Sequence, residues 1–244
     1  MKFRLIKVHE HDAFMNMALD EAIFEAVRDN QSPPTIRFFK WKPTAISIGY
    51  FQGIQNEINL ELCKELGIDV VRRMTGGGAV VHENEITYSI IAPESFFPKD
   101  VIQSYNVICN CLVDALKELS IEAQFTPIND VTVNGMKISG SAQTRKSGML
   151  WQHGTLLYKT NPEKIFSLLK GRVEKNKLTQ SQKKIITCIA EHADVTEHDV
   201  VKALENAFSK DREIVHGHYT VDELERAAIL AKTKYGTHEW NWMR

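Results

Sequence analysis

The chain holds only four cysteines in 244 residues, and no two of them form a Cys-x-x-Cys pair. That excludes a disulfide-built scaffold. Cys63, Cys109, Cys111 and Cys188 fit a reduced, cytoplasmic protein instead. Apolar runs are short: none approaches the ~18 residues that a membrane helix needs. Residues 1–6 read as a strand, because their apolar stretch is too brief for a secretory signal. An excess of charge is missing as well. Thirty Lys and Arg stand against 31 Asp and Glu, a net charge of −1. No global field therefore draws nucleic acid or an anionic membrane. Two phosphate-binding fingerprints are absent: no Gly-Lys-Ser/Thr closes a Walker loop, and no G-x-G-x-x-G opens a helix. The nine histidines are scattered, and His216 and His218 lack a set of partners for zinc.

What is present starts with the run from Arg72 to His82, Arg-Arg-Met-Thr-Gly-Gly-Gly-Ala-Val-Val-His. Three successive glycines let a backbone approach a ligand closely, and successive N–H groups in such a turn converge on an anion. Arg72 and Arg73 add planar donors suited to phosphate or carboxylate. Glycines alone would equally serve a flexible hairpin. The flanking Arg-Arg and His are what a hairpin does not require.

Hydrophobic periodicity divides the chain into strands in clusters, with helices between and after them. Residues 12–28 read as a helix with Asp12 as N-cap, followed by Pro33-Pro34. Strands are expected over 35–41, 44–49, 69–73, 87–92 and 148–158. Helices are expected over 60–66, 99–119, 162–169, 197–208 and 222–232. Asn134-Gly135 marks a type I′ hairpin between 131–133 and 136–141. Residues 171–185, rich in Lys, Gln, Ser and Asn, read as a mobile segment. The pattern is α+β, with helices on one face of a mixed sheet.

A second dense string runs from Asn129 to Gln143, Asn-Asp-Val-Thr-Val-Asn-Gly-Met-Lys-Ile-Ser-Gly-Ser-Ala-Gln. Small residues around Lys137 leave room for a ligand, and its ammonium suits a developing oxyanion or a phosphate. A solvated surface lysine is the alternative. Asn129 and Asp130 supply oxygens for Mg²⁺ or for a nucleotide.

These two strings, followed by His153-Gly154, resemble the lipoate–protein ligase A family within the biotin/lipoate ligase and octanoyltransferase superfamily. The early Asn16–Ala22 stretch and the closing Thr237–Asn241 stretch extend the resemblance over most of the chain. It implies mixed β-sheets with helices packed on their faces, a class II biotin/lipoyl-ligase-like catalytic domain. It implies ATP and Mg²⁺ as cofactors and lipoate as substrate, with octanoate left open. Lipoyl-adenylate would then pass its acyl group to a lysine on a lipoyl-acceptor domain, of the 2-oxoacid dehydrogenase E2 or glycine cleavage H protein type. By the same resemblance Lys137 is the catalytic residue. Arg72, Arg73, Gly76, Gly77, Gly78, Val80, His82, Asn129, Asp130, Gly140, Ser141, Ala142 and His153 bind the intermediate, with Asp130 nearest the metal. Trp41, Tyr50 and Phe51 are candidates for an acyl tunnel. His153 either touches the ligand, as the resemblance implies, or bonds backbone and holds its loop, and the second is favoured.

Within that superfamily, transferases hold the acyl group as a cysteine thioester. Residues 120–130 and 155–187 contain no cysteine, and Cys188 sits in an apolar run. The expectation is therefore a ligase, with the cysteine-dependent octanoyl- or lipoyl-transferase and a non-catalytic lipoate-binding module as alternatives. Residues 1–244 read as one catalytic domain without the family's accessory domain, so a separate small accessory subunit is expected as a partner.

Overall fold

The computed structural model describes residues 2–170 and 185–244. The segment expected to be mobile lies outside the described residues, apart from Ile185. Among the described residues the strands are β1 (Lys2–His11), β2 (Thr35–Trp41), β3 (Ala45–Ile48), β4 (Asp69–Arg72), β5 (Val80–His82), β6 (Glu85–Pro93), β7 (Gln124–Thr126), β8 (Asp130–Val133), β9 (Met136–Lys146), β10 (Met149–Leu157) and β11 (Glu213–Gly217). The helices are α1 (Ala13–Arg28), α2 (Ile54–Glu57), α3 (Leu60–Glu65), α4 (Val101–Glu118), α5 (Pro162–Leu168), α6 (Glu197–Ser209), α7 (Val221–Leu230) and α8 (His238–Asn241).

Local chemistry sets the helix starts. The Asp12 carboxylate accepts from the Met15 amide at 2.8 Å, and the Asp100 carboxylate accepts from Gln103 at 2.8 Å. Thr196 with Asp199, and Thr220 with Glu223, form capping boxes at α6 and α7. Each satisfies amides that the first turn leaves without intrahelical partners. Glu223 does more than cap. Both its oxygens accept from the Arg4 guanidinium, at 2.6 and 2.9 Å, tying α7 to β1.

Eight strands form the main sheet in the order β11-β1-β2-β6-β10-β9-β8-β7. β1 runs parallel to both its neighbours, and the rest of the sheet is antiparallel. A smaller sheet has the order β4-β3-β5. Helices cover both faces of the main sheet, not one as the sequence pattern suggested. On one face Phe38, Tyr88 and Leu150 pack against Leu112 of α4 and Phe208 of α6. On the other, Ile6, Ile91 and Trp151 pack against Ile23, Phe24 and Val27 of α1. The reason is β6, which is buried along nearly its whole length and so needs a cover on each side. Burying each large side chain here contributes roughly 1.5–3 kcal/mol.

Helix α1 also joins the two sheets. Its Ala13, Met17 and Ala18 share one cluster with Phe39 of the main sheet and with Ala45 and Val71 of the small one. β5, β7 and β11 were not anticipated. Two of them have three residues and the third is largely exposed, so none repeats a period long enough to read.

Candidate active site

A cavity of about 190 Å³ lies between the small sheet and strands β9 and β10. Met17, Trp41, Val81, Leu157, Phe166 and Leu169 supply apolar wall, and Arg73 and Lys137 supply the cations. The glycine loop borders it because Gly49 lets the chain sit down. A Cβ on Gly49 would fall 2.0 Å from the Gly77 carbonyl oxygen. Gly77 itself has φ +90°, a conformation that favours glycine. Gly77, Gly78, Val80 and His82 line the cavity, whereas Gly76 contributes a carbonyl that accepts from Arg73 at 2.7 Å.

The two arginines part company. Arg73 is 4% exposed and lines the cavity. Its donors go to Thr75 Oγ1, to Ser47 through both oxygens, and to the Gly76 and Gly78 carbonyls. No carboxylate is among them. Burial pulls its pKa down to about 10, so it stays a cation at neutral pH. Arg72 corrects the expectation that it faces phosphate. Its guanidinium donates to the carbonyls of Gly49, Tyr50, Gln52, Trp240 and Asn241. It fastens the small sheet to the C-terminal segment. The Asn241 amide carbonyl accepts from the Arg72 backbone N–H at 2.7 Å, completing that clamp.

In the second string, Asn134 and Gly135 both have positive φ, which builds the tight hairpin and turns Lys137 onto β9. The Lys137 ammonium lies 2.6 Å from Asp130 Oδ1. Gly140 gives it room, since a Cβ there would lie 2.5 Å from its Cε and Nζ. Asn129, Gly140, Ser141, Ala142 and His153 line the cavity beside Lys137. The Asn129 amide donates to the Ser141 carbonyl, so it holds β9 as well as bordering the space. Asp130, expected nearest the metal, is found paired with a lysine. Its carboxylate is engaged by Lys137, and among the described residues no three His, Cys, Asp or Glu side chains come together to hold an ion.

Trp41 is the one tunnel aromatic that reaches the cavity, stacked on the His82 ring at 3.8 Å between centroids. Tyr50 and Phe51 correct the other two tunnel expectations. Tyr50 packs against Trp240, and Phe51 is 71% exposed. His153 corrects the expectation of a turn or loop: it lies within β10, and its side chain holds the glycine loop, with Nε2 meeting Thr75 Oγ1 at 2.7 Å. Sequence reasoning missed Asp20, Ser47, Thr75 and Glu85. Ser47 alone is a single polar residue within an apolar stretch, and that isolation was the available signal; Asp20, Thr75 and Glu85 stand beside charged or polar residues or glycines and carry no such mark.

Glu85 is buried beneath His82. Burial raises its pKa to about 8 against an ordinary 4.5, with Thr87 and Lys40 opposing. The folded protein therefore keeps a proton that the unfolded chain has lost across that window. Stability from this group is greatest below about pH 4.5 and falls as pH rises toward 8. At about 1.4 kcal/mol for each tenfold change in proton affinity, the loss is of the order of several kcal/mol. Glu85→Gln retains an acceptor for His82 Nδ1 and Thr87 Oγ1, and should flatten this slope. Chemical denaturation at pH 5 and pH 8.5 checks it. Parallel pH dependence in both proteins would contradict the assignment.

All four cysteines are buried, and none lines the cavity. Cys109 touches a lining residue, with Sγ 3.6 Å from Ser141 Oγ. Burial pushes its thiol up to about 11 and raises Cys63, Cys111 and Cys188 as well.

Fold and cavity together define an enzyme of the lipoyl- and octanoyl-transfer class. Residues 12–209 match the family described as lipoyl protein ligase A/B catalytic domain, and the chain belongs to it. Octanoyltransferase LipM of Geobacillus kaustophilus is 38% identical, over 94% of each chain. Octanoyltransferase LipM of Clostridioides difficile is 35% identical, over 100% of this chain and 99% of its own. Among solved structures, an archaeal bi-partite lipoate protein ligase with its E2 lipoyl domain, from Thermoplasma acidophilum, superposes with TM-score 0.88. It is 29% identical over 99% of this chain and 96% of its own. Lipoate-protein ligase A bound with ATP gives 0.87 at 26% identity, over 99% of each chain.

The relatives overturn the ATP-dependent ligase expected from the two strings. They are octanoyltransferases that match along nearly their whole length. The strings describe a cavity with an apolar wall and two cations. Such a cavity serves either reaction and does not specify where the activated acyl group comes from. ATP and Mg²⁺ are accordingly not assigned to this chain.

Proposed function

We propose that this chain is an acyltransferase, working as a single catalytic domain, that carries an octanoyl or lipoyl group from a thioester donor to a lysine of a lipoyl-acceptor domain. The observation that carries the reading is one cavity with an apolar wall at Met17, Trp41, Leu157 and Phe166 and two cations, Arg73 and Lys137. The wall suits a slender acyl chain. The cations suit the carbonyl oxygen as it gains charge. The acceptor amine attacks the acyl carbon and forms a C–N bond. The carbonyl oxygen takes the negative charge, the donor C–S bond then breaks, the thiolate leaves with the electron pair, and the nitrogen loses its proton. The names of the relatives support the octanoyl group, and the archaeal neighbour's E2 lipoyl domain supports the acceptor class. The small accessory subunit was expected to assist adenylation, and transfer from a thioester contains no step that calls for it.

Incubation with an octanoyl or lipoyl thioester and a lipoyl domain, followed by intact-protein mass measurement, tests the proposal. A single acyl adduct on the acceptor is expected. No adduct with either donor would sink it.

The placement of the thiols supports transfer without an acyl-cysteine stage. A thiol held at about pKa 11 is almost wholly protonated at neutral pH and is a poor nucleophile. Cys109→Ala and Cys188→Ala should each keep transfer within about threefold, well under the 10²-fold or greater loss that follows removal of a catalytic group. Loss beyond 10²-fold in either variant, with an unchanged melting temperature, would instead mark that cysteine as the acyl carrier.

A further inference from the structure

Arg73 stands at the junction of two buried chains of the same make-up. Along one, Arg73 Nε donates to Thr75 Oγ1 at 3.2 Å, and Thr75 Oγ1 meets His153 Nε2 at 2.7 Å. His153 Nδ1 then faces Asp20 Oδ2 at 3.5 Å. Along the other, Arg73 Nη1 donates to Ser47 Oγ at 3.1 Å, and Ser47 Oγ meets His82 Nε2 at 2.8 Å. His82 Nδ1 then meets Glu85 Oε1 at 3.0 Å. Each arm reads guanidinium, hydroxyl, imidazole, carboxyl. The four inner side chains come from different places: Thr75 from the glycine loop, Ser47 from β3, His153 from β10 and His82 from β5.

The proton order in each arm follows from the donor inventory. A guanidinium only donates, so each hydroxyl accepts from Arg73. A buried hydroxyl that accepts must place its own proton on another acceptor, and the facing atom is an imidazole Nε2. Both Nε2 atoms are therefore bare, and each ring carries its proton on Nδ1, toward the carboxyl. Asp20 Oδ2 and His153 Nδ1 form no hydrogen bond, and at 3.5 Å they face one another as an ionic contact, so this last link is looser than the one between His82 and Glu85. Burial lowers the pKa of both histidines, His82 far below its ordinary value, so the rings are neutral at neutral pH.

We propose that Thr75 and Ser47 are positioning residues that aim the Arg73 guanidinium at the acyl head group, each held in a single donor–acceptor sense by its histidine and carboxyl. Two hydroxyls on different edges of the planar cation, together with the Ser47, Gly76 and Gly78 carbonyls, fix both its position and its plane. All five of its N–H groups are taken by protein acceptors, so it presents a fixed charge, and not a free donor, to an arriving carboxylate or oxyanion. Its positive charge is not neutralised by a hydrogen-bonded carboxylate, so the arms orient it and leave the charge for the ligand. The inference rests on the acyl-transfer reading only for the identity of that ligand.

The test begins on the unaltered protein. Nitrogen-15 long-range correlation spectra of the imidazoles should show the Nδ1–H form for both His82 and His153 at neutral pH. An Nε2–H ring at either position overturns the proton order. Thr75→Val keeps the shape of the side chain and removes the hydroxyl. Calorimetric binding of sodium octanoate should weaken about tenfold or more, as expected for a lost hydrogen bond to a charged group. Thr75→Ser should return it to within about threefold. With a thioester donor, Thr75→Val should lower kcat as well, because the oxyanion meets the same guanidinium. Unchanged octanoate binding in a folded Thr75→Val protein overturns the positioning role. If the tautomers and octanoate binding follow the proposal while no acceptor is acylated, the arms stand and the transfer reading falls.

Discussion

Lys137→Ala is expected to lower acyl transfer about 10²–10³-fold, because it removes a charge from the place where the carbonyl oxygen becomes anionic. The geometry favours an effect on rate and not on folding. Lys137 is paired with Asp130 at 2.6 Å, but both side chains are about a third exposed. An exposed pair of that kind contributes about 0–1 kcal/mol to stability. The backbone around it is held independently: Lys137 N–H donates to the Ile185 carbonyl at 2.9 Å, and Thr187 N–H donates to the Lys137 carbonyl at 2.9 Å. A melting temperature close to the parent's is therefore expected alongside the lost rate. Lys137→Arg should recover only part of it. The ammonium sits in a space that exists because Gly140 has no side chain, and a planar guanidinium is broader than an ammonium. Single-turnover transfer and thermal melting of both variants decide the matter. Transfer by Lys137→Ala within about threefold of the parent would show that this lysine holds Asp130 and no substrate.

Elements with local causes are legible in the amino-acid sequence. Asp12 caps α1 and Asn134-Gly135 turns the β8–β9 hairpin, because the signal for each lies within four residues of its effect. The layout of the site was legible only as two strings. What they could not give is which side of a strand each residue faces. Arg72 and Arg73 illustrate it. Successive side chains of an extended strand point to opposite faces. An Arg-Arg pair leaving β4 could not send both guanidinia into one cavity, and alternation was the sign that one would turn away. Tyr50 and Phe51 lie just past β3, where no period remains to orient them.

The two arms behind Arg73 were illegible for another reason. Asp20, Ser47 and Glu85 lie on α1, β3 and β6, and their relation exists only once α1 sits across both sheets. The chemistry of the donor was hidden more deeply. Both strings line one cavity, and on the acyl-transfer reading the source of an acyl group leaves no mark on the residues that would hold it. The apolar run around Cys188 gave a true statement about that thiol, which is buried like the other three, but an absent thiol does not by itself identify a ligase.

The largest expected loss of stability comes from Asp20→Ala. Arg37 is almost wholly buried on β2, and Asp20 Oδ1 accepts from its Nη1 at 2.7 Å. Burial pushes the Asp20 pKa up, but Arg37 and His153 more than offset that and hold it below the ordinary value, so the carboxylate is ionised. The rest of the guanidinium is also placed. Asn16 accepts through its backbone carbonyl at 3.0 Å and its side-chain carbonyl at 2.6 Å, Tyr219 Oη accepts at 2.8 Å, and the Phe39 ring lies 3.9 Å below. Asn16 and Asp20 are four residues apart on α1 and so share the face that meets β2. Removing Asp20 strands the Arg37 charge where water cannot reach it. A broken buried pair costs about 3–5 kcal/mol, roughly 10 °C or more in a chain of this size. Asp20→Asn keeps an oxygen for Arg37 and should lose less. Adding Arg37→Met to Asp20→Leu removes both charges and should be more stable than either single change, since a buried pair replaced by apolar side chains is often neutral. Denaturant unfolding of the four proteins in a double-mutant cycle measures the coupling. A cost below about 1 kcal/mol for Asp20→Ala, the size seen for exposed pairs, would mean that water reaches Arg37 and that α1 is not locked to β2 by this charge.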